Sequence, residues 1–173
     1  MTCRRPESRD EIDWPSEFQT DKVKVHVRNE IQINATPEQV WAHLIRALRW
    51  PGYYSNAHDV RLIDEPGPDL GPNTRFHWKT FGLNLVSEVL EFVPGKRLAW
   101  NGSGLGTWVC HAWLLRPVDD GCWVLTEENQ NGWLCRLHKL FRPQHMHEEH
   151  QNWLEGLKRE AEAGPPPPWP SVS

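Results

Sequence analysis

The stretch IQINATPEQVWAHL, residues 31–44, decides the fold, because the repeat of its apolar residues changes within it from strand-like to helix-like. Upstream, Val23, Val25, Val27, Ile31 and Ile33 alternate with Lys24, His26, Arg28, Glu30 and Gln32, which predicts a half-buried strand. Downstream, Thr36 suits a helix cap, Pro37 the first helical position, and Gln39 the return arm of a capping box. Val40, Trp41, Leu44, Ile45 and Leu48 then share one helical stripe, which Trp50-Pro51-Gly52 stops. A second short helix is expected over residues 53–57.

From there strands and turns dominate. Val60 to Ile63 reads as a short strand ended by Pro66-Gly67-Pro68, and residues 74–80 and 83–93 as a hairpin around Gly82. Residues 98–101 and 107–115 follow, parted by Gly102-Ser103-Gly104, and residues 123–130 form the last strand after a turn at Asp119-Asp120-Gly121. After Gly132 the helical period returns. Leu134, Leu137, Leu140 and Phe141 mark a turn or two of helix, Pro143 interrupts, and Met146, His150, Trp153, Leu154, Leu157 and Ala161 mark a long terminal helix ending at Gly164. The expected class is α+β: a curved antiparallel sheet of six or seven strands around a long C-terminal helix, with two short helices after the first strand. Residues 1–21 read as a loose arm, 22–163 as the domain, and 164–173 as a proline-rich tail expected to be a free end.

Composition bounds the partners. The 173 residues carry a net charge of −4, which argues against a nucleic-acid binder, and no stretch is apolar enough for a membrane span. The N-terminal residues lack the apolar core of a secretory signal, so the expected location is cytoplasmic. Cys3, Cys110, Cys122 and Cys135 form no CxxC pair. With the turn at 119–121, Cys110 falls opposite about Gln130 and Cys122 opposite about Val118, so reduced thiols are expected. Eleven tryptophans against two tyrosines suit a bulky core or an aromatic-lined pocket.

Several tempting motifs fail. His147-Glu148-Glu149-His150 is one residue short of the HExxH metalloprotease spacing, and no second cluster completes a tetrahedral site. The glycines at 102, 104 and 106 lie between strands and open no helix that could hold a phosphate. No nucleophile elbow or activated thiolate is present. No metal and no cofactor are expected.

Together with EVLEFVPGKRLAW (88–100), HAWLLRPVDDG (111–121) and LEGLKREAE (154–162), the opening stretch resembles the polyketide cyclase/dehydrase-like branch of the START/Bet v 1-like (SRPBCC) superfamily. The resemblance implies a helix-grip fold with a cavity between sheet and terminal helix. It covers aromatase/cyclases, lipid carriers, receptors, sequestration proteins and chaperone co-factors, so it leaves the activity open.

If Val124 and Thr126 point inward, as their counterparts in that family do, then so do Glu128 and Gln130, and the hairpin brings His111 beside Glu128 and Asn129. His111 and Glu128 are the candidate acid/base or hydrogen-bonding pair. Phe76, Trp78 and Trp113 on neighbouring strands, and Met146, His150, Trp153 and Leu157 on the helix, are candidate ligand contacts with Thr126 and Gln130. Trp41 and Trp100 are expected in the core. Tyr53, Tyr54 and Asn56 fall where the family's entrance loop lies, and Tyr54 joins the candidate contacts. The expected activity is binding of a small hydrophobic or aromatic molecule, polyketide-like or lipid-like, by a monomer or homodimer acting as carrier, sequestration protein or sensor. Two alternatives stand beside it: a polyketide aromatase/cyclase or dehydratase, and a protein-interaction module whose cavity is filled.

Overall fold

A computed structural model describes residues 12, 14–63 and 67–170. Seven antiparallel strands form one sheet in the order β1-β7-β6-β5-β4-β3-β2. They are β1 Val25–Ile33, β2 His58–Ile63, β3 Arg75–Thr80, β4 Leu83–Val93, β5 Arg97–Gly104, β6 Thr107–Val118 and β7 Gly121–Gly132. Among the described residues three α-helices accompany them: α1 Pro37–Leu44, α2 Trp133–Phe141 and α3 His145–Ala163. The sheet curls around α3, giving the helix-grip arrangement. Among the described residues no helix is long and apolar enough to cross a membrane.

The first turn of α1 forms for the expected reason, with a difference. Thr36 Oγ1 accepts the Gln39 backbone N–H at 3.3 Å, but the Gln39 amide donates to the Ala161 carbonyl instead of returning to the cap. One residue thus ties the start of α1 to the end of α3. The expected helix over 53–57 does not form. The chain instead tightens into a 3-10 turn over Ala47–Gly52, and Leu48 leaves the apolar stripe for the surface. That turn drives Trp50 into the interior.

Trp50 is fully buried, and its indole N–H donates to the Leu44 carbonyl at 2.9 Å. Its ring lies 5.0–5.7 Å, centre to centre, from Phe76, Trp78, Trp100 and Trp153. Tyr54 stacks on Trp153 at 4.4 Å, and Trp113 meets Trp153 edge-on at 5.0 Å. The mixture of stacked and edge-on pairs is the one that aromatic quadrupoles favour. The rings interlock and close the middle of the space beneath α3.

Both ends of the described chain lie on this body. Trp14 and Phe18 pack with Ala99, Cys110 and Ala112 on the outer face of the sheet, so the N-terminal stretch docks from residue 14 on; residues 1–11 and 13 lie outside the described residues. The tail to residue 170 is not free. The Trp169 indole donates to Asp69 at 2.8 Å and lies under the guanidinium groups of Arg46 and Arg49. Of the turn expected at 66–68, Pro66 falls outside the described residues, as does Cys3.

Close approach explains Gly156. A Cβ there would come 2.1 Å from the Tyr53 carbonyl oxygen, a backbone atom with no room to yield. Helix propensity alone would make Gly156→Ala stabilising by up to ~1 kcal/mol. We expect the opposite sign, a lower urea midpoint at unchanged slope; a raised midpoint would show that α3 does not press on the 3-10 turn. Trp50→Ala, by emptying the centre of the ring cluster, should cost about 3–5 kcal/mol in the same assay.

Candidate functional site

The β6–β7 hairpin is joined by two residues, Asp119 and Asp120, with Val118 paired to Gly121. Counting Gly121 into the turn displaces the register by one. The observed register sets Cys110 opposite Asn129, Cys122 opposite Pro117, and His111 opposite Glu128. Directly paired residues point to the same face of a sheet, so the hairpin itself places these two side chains together. The thiols of Cys110, Cys122 and Cys135 are free and buried.

Glu128, His111 and His150 form one buried cluster. His150, one turn before Trp153 on α3, donates from Nε2 to Glu128 Oε2 at 3.3 Å. His111 Nδ1 lies 3.1 Å from the same oxygen, close but poorly aligned. Its Nε2 is 2.7 Å from Thr126 Oγ1, and the Gln130 amide donates to Glu128 Oε1. Burial lowers the His111 pKa from the ordinary 6.5, despite the opposing pull of the carboxylate. The ring is then neutral, with its proton on Nδ1 facing Glu128 and the Thr126 hydroxyl donating to Nε2. Burial by itself would raise Glu128, but the two imidazoles outweigh it and hold the carboxyl well below the usual range. The arrangement is a buried carboxylate faced by two imidazoles and the Gln130 amide.

His111, Glu128 and His150 also offer three ligand atoms within 4.8 Å of one another, a donor set whose chemistry suits a divalent ion. Both imidazoles address one carboxylate oxygen, and the Nδ1 atoms of His111 and His150 make no hydrogen bond of good geometry. The pair considered at 147 and 150 does not assemble, since His147 meets Asn29 instead.

Beside this cluster, at the end of the sheet covered by α2, lies a mainly apolar cavity of about 140 Å³. Of the candidate contacts, Trp78, Gln130 and Met146 line it, together with Glu128. Phe76, Trp113, Trp153, Leu157 and Tyr54 do not: they are spent on the interlocked core, because Trp50 fills the space they were expected to wall. His150 meets Glu128 directly, and Thr126 meets His111. Thr80, on the same strand face as Phe76 and Trp78, lines the cavity as alternation implies; Thr107, Val109, Leu134, Cys135 and His138 line it without having been candidates. Continuing the alternation back from His111 finds Val109 and Thr107. The residues of α2 were obscured by its apolar stripe, of which Leu137, Leu140 and Phe141 turn out to be exposed. The entrance-loop residues are braces: Asn56 donates to the Tyr54 hydroxyl and accepts from the Phe81 N–H, holding the β3–β4 turn, whose Phe81 lines the cavity.

Residues 24–162 match the family described as polyketide cyclase / dehydrase and lipid transport. No curated protein sequence matches. Among solved structures, hypothetical protein jhp0584 from Helicobacter pylori is 30% identical over 91% of this chain and 99% of its own, with a TM-score of 0.82. TTHA0849 from Thermus thermophilus is 20% identical over 80% and 98%, with a TM-score of 0.67. The di-domain ARO/CYC StfQ from the steffimycin biosynthetic pathway shares 14% identity over 80% of this chain and 51% of its own, with a TM-score of 0.65, a likeness of fold alone. The chain belongs to the polyketide cyclase/dehydrase and lipid transport family.

The depressed pKa values have one sign. Below 6.5 the unfolded chain takes up protons that His111 and His138 refuse when folded, so stability is complete above that pH and declines as pH falls beneath it. Glu128 adds a second loss as pH falls below its ordinary 4.5. Thermal melts across this range should show a falling Tm, and Glu128→Gln should flatten its acid end; a Tm indifferent to pH would mean the cluster is not buried as described.

Proposed function

We propose, with membership of this family as the premise, that the domain over residues 22–163 is a non-catalytic binder of a small, mainly apolar molecule about one ring in size. The hydroxyl of Thr107 carries the proposal. It lines the 140 Å³ cavity with that of Thr80, is buried, and has no hydrogen-bond partner in the protein. An unpaired buried polar group costs about 1–3 kcal/mol, so a guest bearing one hydrogen-bonding group gains by entering. The size supports a single ring, since a cavity of about 150 Å³ lined by apolar side chains takes up benzene. A fused polyketide would need the core indoles to move. Between them, Glu128 and Gln130 at the polar wall and Trp78, Leu85 and Met146 at the apolar one favour a phenol-like guest over a hydrocarbon.

The same site supports catalysis less well. A general base works best with a pKa near the operating pH, and Glu128 is held far below it. His111 already spends one nitrogen on Thr126 and turns the other to Glu128. The filled-cavity alternative suits the centre of the domain but not the end under α2.

Titrating phenol and toluene while following tryptophan emission tests the reading, because Trp78 lies in the wall. Thr107→Val preserves shape and removes one hydroxyl. It should weaken phenol about fivefold, the equivalent of one hydrogen bond, and leave toluene unchanged. If neither compound alters the emission of the native protein, the cavity does not serve a guest of this size.

A further inference from the structure

The helix that closes the cavity has a surface out of keeping with its position. Its inner face, Leu134, Cys135 and His138, lines the cavity. Its outer face should be polar, yet Trp133 is 59% exposed, Leu140 75% and Phe141 74%, with Leu137 beside them. The patch continues onto the β5–β6 turn. The Trp133 indole lies against Gly106, where a Cβ would come 2.2 Å from Nε1, and the flanking Leu105 and Trp108 are 73% and 53% exposed. Glycine is required at that turn twice over, since its φ is +62°.

Charge selects what covers this face. Arg136 and Lys139 on the same helix, and Arg142 just after it, are exposed, and residues 133–147 contain no aspartate or glutamate, in a chain whose net charge is −4. A short helix with Trp, Leu and Phe on one arc and cations beside it has the make-up of an element that lies in a lipid interface, apolar side down and cations among anionic headgroups. Indole rings, apolar with one N–H donor, suit that boundary. A second copy of the chain suits it poorly, because a two-fold contact sets a patch against itself and would bring the three cations to face their own images.

We propose that α2, with the β5–β6 turn, is a docking surface for anionic lipid membranes. Docking itself needs only the outer face, but its consequence rests on the binding reading above: it would set the cavity wall that α2 forms next to the lipid, where an apolar guest is most concentrated.

Flotation of the full chain with vesicles, in the absence of any guest, tests this. Phosphatidylcholine vesicles containing phosphatidylglycerol should carry the protein, those of phosphatidylcholine alone should carry it far less, and added salt should release it. Leu140→Ser with Phe141→Ser, and separately Arg136→Glu with Lys139→Glu, should each lower partitioning about tenfold or more. All four side chains are exposed, and unchanged far-ultraviolet circular dichroism and phenol affinity would separate loss of docking from loss of fold or of the cavity. No recovery with anionic vesicles, or partitioning indifferent to both double variants, overturns the proposal. So does a concentration-dependent dimer, seen by sedimentation, that Leu140→Ser with Phe141→Ser dissociates. Should phenol binding fail while flotation succeeds, the docking surface stands and the cavity reading falls.

Discussion

The position of one indole governs much of this molecule. A helix gripped by a curved sheet leaves a long hollow between them, and what such a domain can hold depends on what is put in it. Here the 3-10 turn after α1 inserts Trp50 between Phe76, Trp78, Trp100 and Trp153. Close packing in protein interiors tolerates few voids, so once that ring is in place its neighbours must interlock around it. Among the described residues the hollow then survives where Trp50 does not reach, under α2. Cavity size, cavity position and the importance of α2 all descend from this insertion.

Electrostatics adds a second constraint at the boundary of the surviving space. An ionised carboxylate in a ring-lined interior is costly unless several donors face it. Glu128 receives them from three directions: Gln130 two residues along its own strand, His111 across the hairpin, and His150 from the helix. These contacts span β6, β7 and α3, so the charge joins the sheet to the helix at the point where aromatic packing ends. It also explains why the chemistry of the site leans toward recognition. Donors that stabilise the anion weaken it as a base while leaving it an acceptor for a guest.

The sequence was informative to different depths for different physical reasons. Alternation is a local rule, and it brought His111 and Glu128 to one face even though the turn length, and with it the register, was misjudged by one residue. His150 was placed on the inner stripe by helical period, but joining it to Glu128 requires knowing how far α3 slides along the sheet, which no local pattern encodes. Trp50 looked like part of a stop signal because Pro51-Gly52 follows it; its burial depends on a change from α to 3-10 geometry at Ala47. The tail was read from its prolines, which only exclude regular structure, while the residue that docks it is Trp169. In α2 the period was right and its meaning inverted, since an apolar stripe reports a face that avoids water without saying what covers it.

That inversion connects the two ends of the functional argument. If α2 were an ordinary cover, its apolar stripe would point at the cavity and its cations at solvent. Instead the inner side is mixed, with Leu134 beside Cys135 and His138, and the strongly apolar side faces out. The helix is also held by few anchors: no side chain caps its N-terminus, it ends before Pro143, and His138 meets His145 at 2.9 Å across the break. An element with a mixed inner side and a strongly apolar outer one gains by exchanging water for lipid on the outside, and its inner side is part of the wall of the cavity behind it. Recognition of a guest and contact with a lipid surface would thus meet on opposite faces of one nine-residue helix.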